Sequence, residues 1–189
     1  MANKDAAFGL KPIGKVGQNG ANNGLSEYSI AASATAIYFQ DAVGMAATGT
    51  ITVAAAGGVL LGSLNGVFFT DATTSKPTFA NHLNASNTAT DIKGFVTDDP
   101  YQRYEVQSDN TGASAQTDIG NVADIVYAAG SSPDFVSKVE LDDSDLATSD
   151  GQLKVIGVSK DPENSDLTSA NVNFVVTINE HFLKQEAGV

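Results

Sequence analysis

The stretch Asn171-Val-Asn-Phe-Val-Val-Thr-Ile-Asn179 constrains the fold of this 189-residue chain more than any other. Val172, Phe174, Val176 and Ile178 fall at every second position, and Asn171, Asn173, Thr177 and Asn179 fall between them. Successive side chains of a strand point to opposite faces, so the four apolar groups share one face. A slip of one residue would put them in water and turn the amides inward, so the register is fixed by the pattern itself. A strand with one apolar face requires a second layer to cover that face.

The rest of the chain supplies material for such layers. Glu27–Ala31, Ala36–Gln40, Val43–Met45, Thr50–Ala54, Val59–Gly62, Gly66–Thr70, Lys93–Thr97, Tyr101–Gln107, Phe135–Leu141 and Gln152–Val158 read as short strands between turn residues. In Tyr101–Gln107, Tyr104 and Val106 share one face, with Arg103, Glu105 and Gln107 on the other. Asp71–Thr90, polar and carrying Pro77, reads as a long excursion between strands. Asp118–Val126 has apolar groups at 119, 122, 125 and 126, the spacing of a short amphipathic helix. The expected fold is all-β: a single β-sandwich or jelly-roll-like β-barrel over residues 28–189. Residues 1–27 hold five glycines and read as an extended arm. Its apolar anchors are Phe8, Leu10, Ile13 and Val16, with Pro12 among them, and these five are the candidate binding residues.

Charge divides the chain. The net charge is −12. Residues 1–97 carry five acids and five lysines, whereas residues 98–166 carry fifteen acids against four bases. A surface of that sign repels phosphate, which argues against a nucleic-acid partner. Cysteine is absent, which removes disulfides and thiolate chemistry. Met1–Phe8 has no apolar h-region and no run reaches the length of a membrane helix, so the expectation is a protein made in the cytoplasm without a membrane partner.

Catalytic and metal signatures are missing. His82 and His181 lack ligand spacing, and no cysteine completes a zinc set. Asp142, Asp143, Asp145 and Asp150 have the composition of a calcium loop but depart from the EF-hand order at the third ligand and the glycine. Neighbouring carboxylates, Asp98-Asp99 and Asp142-Asp143, read as solvated loop groups rather than as an acid–base pair. The expectation is therefore a non-enzyme with no catalytic residue, no metal and no cofactor.

Several segments, in order, resemble one known group. Ala6-Ala-Phe-Gly-Leu-Lys-Pro-Ile13 resembles the Ala-Pro-Phe-Gly-Leu-Arg-Pro-Val start of head decoration, or cement, proteins of tailed bacteriophages of the marine and cyanobacterial type. Asn22–Ala31, Phe39–Val43, Asp98–Gln107, Asp118–Asp124, Leu153–Gly157 and Ile178–Leu183 are similar to later segments of that group. Ala7 and Ala42 stand where proline is usual. The resemblance implies a virion protein on the outer capsid surface that clamps neighbouring major-capsid subunits, as a homo-trimer or alternatively a homo-dimer. It carries no catalytic residues. On this reading the arm straps a neighbour, and removal of residues 1–16 leaves the β-domain folded. The competing reading is a carbohydrate-binding or host-attachment module, with Tyr101 and Tyr104 as the best groove aromatics.

Overall fold

The computed structural model describes residues 2–17, 24–109, 111, 113–147 and 149–184. Among these the chain is all-β. In order, the strands are β1 (Lys11–Lys15), β2 (Ser26–Ser29), β3 (Ala42–Met45), β4 (Ile51–Val53), β5 (Gly62–Thr70), β6 (Pro77–Ala80) and β7 (Lys93–Thr97). They continue with β8 (Gln102–Gln107), β9 (Val122–Ala123), β10 (Ile125–Val126), β11 (Glu140–Leu141), β12 (Leu153–Val158) and β13 (Asn173–Ile178). The helical elements among the described residues are three short 3-10 turns.

Two antiparallel sheets form the body. One runs β1-β8-β13-β12-β9; the other runs β2-β7-β5-β3-β4, with β6 lying along β5. A small ribbon pairs β10 with β11. A single bridge from Ile30 to Ile51 brings the ends of the second sheet together at one point. The sheets do not close into a barrel, so of the two expected architectures the arrangement is the sandwich type.

The alternation in β13 sets the first core. Val172, Phe174 and Val176 are fully buried and Ile178 is nearly so. Phe174 pairs with Val106 and Val176 with Tyr104 on one side; Val155 and Leu153 face Val176 and Ile178 on the other. Leu10, Leu60, Ile125, Val139 and Leu141 cover this face. The second core is separate and lies within the second sheet, where Val43, Ile51, Leu64, Val67 and Val96 meet Ile37, Leu83 and Ile92 from the loops. Adjacent residues feed opposite cores: Ala42 and Leu60 enter the first, Val43 and Leu61 the second. Opposite pointing of neighbours in extended chain makes this segment a wall shared by both. The buried Tyr104 hydroxyl ties the sheets by donating to the Thr97 carbonyl at 2.8 Å.

Four expectations are corrected. First, the first 27 residues are not a free arm where they are described. Lys11–Lys15 form β1, an edge strand on β8. Leu10 is fully buried. Before it, Asn3 donates to the Asp166 and Ala170 carbonyls at 2.9 Å each. The Lys4 carbonyl accepts from Gln107 and Asn164. The glycine count misled because Gly9 is used for shape. Its φ is +79°, and a Cβ there would stand 2.4 Å from the Gln40 carbonyl oxygen. Residues 18–23, also within the expected arm, lie outside the described residues.

Second, Asp118–Val126 is not a helix. A 3-10 turn at Gln116–Asp118 leads through Gly120, at φ +104°, into β9 and β10. Third, the excursion from Asp71 to Thr90 contains a strand, β6, whose Phe79 pairs with Phe68 of β5. Fourth, Ala36–Gln40 and Phe135–Val139 are not strands; Ile37 makes a single bridge to Leu83 and Phe39 one to Val136, and of the expected Phe135–Leu141 the strand is Glu140–Leu141, β11.

Candidate docking surfaces

Of the five candidate residues, the structure makes Leu10 a core group and leaves the others near the surface. The Leu10 carbonyl accepts from the buried Ser63 hydroxyl at 2.6 Å, and its N–H donates to Gln40 at 2.9 Å. Phe8 is half-buried, with the Lys11 ammonium 5.7 Å from its ring centre. Pro12 pairs with Tyr104, and a bulge separates it from Gly14. Ile13 and Val16 remain exposed. Leu25, which sequence reasoning did not single out, is 42% exposed and joins Ile13 on a cleft of about 400 Å³. Gln40, Asn65 and Gln102 supply the polar part of its lining.

Exposed apolar groups here are Ile13 on the edge strand β1, Val16 just after it and Leu25 just before β2. Lys15 meets Asp99 at 2.5 Å and Lys11 meets Glu105 at 3.0 Å. The bulge twists the edge away from simple strand addition.

A second surface lies on the outside of the other sheet. Phe68 of β5 and Phe79 of β6 face each other with ring centres 4.7 Å apart. Phe95 of β7 stacks against Phe79 at 6.2 Å, the planes 17° apart. Phe95 sits opposite Gly66, where no side chain separates the two rings. Phe79 is 74% exposed, the largest value among the exposed apolar residues described. Sequence reasoning missed this surface because it missed β6.

The acidic groups are engaged by their own neighbours. Asp142 accepts from the Ser144 N–H at 3.0 Å and from its hydroxyl at 2.6 Å. Asp143 accepts from the Thr111 hydroxyl. Its pKa is pushed up to about 6, first by burial and then by Asp109 and Asp142. Burial, with Asp5 and Asp109 nearby, likewise raises Glu140 to about 7. Asp98 accepts from the Tyr28 hydroxyl at 2.6 Å. Among the described residues no three His, Asp or Glu side chains come together in a way that could hold a metal.

Both histidines have local roles. His82 stacks on Phe135 at 3.8 Å, the planes 2° apart. His181 is fully buried beside Leu60, and burial lowers its pKa. Its Nδ1 accepts from the Leu183 N–H at 3.1 Å. Of the groove aromatics, Tyr104 is core and Tyr101 is 59% exposed, with the Lys184 ammonium 4.7 Å from its ring centre.

No family model, curated protein or solved structure matches this chain.

Proposed function

We infer that this chain is a structural protein of a phage head, which binds the outer capsid surface and cements neighbouring major-capsid subunits. The observation that carries the reading is the ordered series of segments between Ala6 and Leu183 that resembles head decoration proteins. Two physical features support it. Ile13 on β1, with Val16 after it and Leu25 before β2, is exposed, and Lys11 and Lys15 of β1 are tied to Glu105 and Asp99. A rigid apolar anchor loses little entropy on docking. The acidic groups of residues 98–166 lie mostly in loops, where they would keep decorated particles from adhering to one another.

Cementing needs no catalytic group and no cofactor. It works by multivalency, in which modest contacts repeated around a homo-oligomer give high avidity. A trimer at three-fold sites or a dimer at two-fold sites meets that need, and the binding ratio distinguishes them.

The test is co-sedimentation of the purified protein with undecorated, expanded heads of the phage that encodes it. Saturable binding at a fixed ratio to the major capsid protein is expected. The double variant Ile13→Ser, Val16→Ser should bind about tenfold or more weakly while remaining folded. Folded wild-type protein that stays in the supernatant would refute the reading. The alternative, a carbohydrate-binding or host-attachment module, rests on the exposed Tyr101, since aromatic rings commonly line ligand sites. The Lys184 ammonium over that ring weakens it. Binding on a glycan array that is lost in Tyr101→Ala would favour it.

A further inference from the structure

We propose that the aromatic outer face centred on Phe79 is the surface through which two copies of this chain pair. Single exposed apolar residues are ordinary on a protein surface, but contiguous ones mark interaction sites. Phe79 of β6 meets both Phe68 of β5 and Phe95 of β7, and it is the most exposed of the three. Rings gathered on one sheet face, rather than along an edge, suit packing of sheet against sheet.

Charge selects the partner. The chain carries −12, so most approaches between two copies bring like charges together. The six strands of this sheet hold only two charged side chains, Glu27 and Lys93, and these pair with each other at 3.3 Å. At the end of β5, Asp91 accepts from the Thr70 N–H and hydroxyl, which hold it in place as an anion. The strands of this face thus carry no net charge of their own, with Asp91 at its border, so two copies meeting here face less repulsion than over the acidic loops. Across a two-fold axis through this patch the same residues would serve both copies, as an isologous contact requires. Strand addition at β6 is disfavoured by Pro77, which lacks a donor. This pairing stands independently of the capsid reading and, of the two oligomers considered, it selects the dimer.

The test is sedimentation equilibrium of the full chain over a range of protein and salt concentrations. Wild type should show a monomer–dimer equilibrium that holds or tightens as salt rises, because screening removes residual repulsion while the apolar contact persists. Phe79→Thr keeps a strand-forming residue and should raise the dimer dissociation constant about tenfold or more, with circular dichroism and thermal midpoint unchanged. Tyr101→Thr, on an exposed ring elsewhere, should leave the constant as in wild type. The proposal is overturned by a wild type that stays monomeric, by a dimer that salt dissolves, or by equal association of Phe79→Thr. Loss of head binding in Phe79→Thr with a monomeric wild type would overturn it too, and would assign the face to the capsid.

Discussion

Asp41 shows how much a single side chain can set here. It is fully buried between the two cores, next to Ala42 and Val43. One carboxylate oxygen accepts from the Tyr38 N–H at 2.7 Å, and the other has no partner. Desolvation raises its pKa from 3.8 to about 6, against the lowering effect of the nearby Ser137 hydroxyl and the Tyr38 N–H. The folded state therefore binds this proton more tightly than the unfolded state does. Stability from this group is greatest below about pH 4 and falls as pH rises toward 6. Glu140 and Asp143 shift in the same direction, so they add to the slope. Asp41→Asn retains a carbonyl for the Tyr38 N–H and no longer ionises. Its thermal midpoint should fall less between pH 4 and pH 6.5 than that of wild type; an equal fall would show that the slope arises elsewhere. Asp41 could be read in the sequence only as the end of a strand, because its burial depends on residues nearly a hundred positions away.

At the scale of elements, legibility followed pattern strength. β13 was legible because Val172, Phe174, Val176 and Ile178 alternate onto one buried face despite Val175 between them; β8 pairs with it in unbroken register and β12 through a bulge at Val155/Gly157. β12, the preceding strand, pairs with it. β6 was hidden because Pro77-Thr-Phe-Ala80 offers one large apolar residue in a polar stretch, and that residue points outward. Asp118–Val126 misled because its spacing fits two turns of helix as well as two short strands on either side of Asp124. The Gly120 in that segment was the signal for a turn. β1 was misread through composition: glycine suggested entropy, while Leu10 and Gly9 were already committed to the core and to a close crossing. Removing residues 1–16 should consequently destabilise the whole molecule rather than trim it. Leu10→Ala alone should cost about 2–5 kcal/mol in urea unfolding. A loss below about 1 kcal/mol would return this segment to the status of an arm.

For the whole molecule, the relation between charge and architecture organises the account. The neutral first half builds the second sheet, β2 through β7, and contributes β1 to the first. The acidic second half builds the rest of the first sheet and the loops around it. Two exposed apolar surfaces stand out: Ile13, Val16 and Leu25 at and beside β1, and the Phe68, Phe79 and Phe95 face of the second sheet. On the proposed function, one surface would serve the capsid and the other a second copy, with the acidic loops limiting association at other places. The division of charge was legible in the sequence; the two surfaces were not, because each gathers residues from strands far apart in the chain.

The most direct measurement is electron cryo-microscopy of undecorated phage heads incubated with the purified protein and then washed. The account predicts added density on the outer capsid surface, repeated at symmetry-related sites between major-capsid subunits, with the β1 edge against the shell and the acidic loops facing outward. Heads that remain bare at saturating protein, or density confined to the tail, would contradict it.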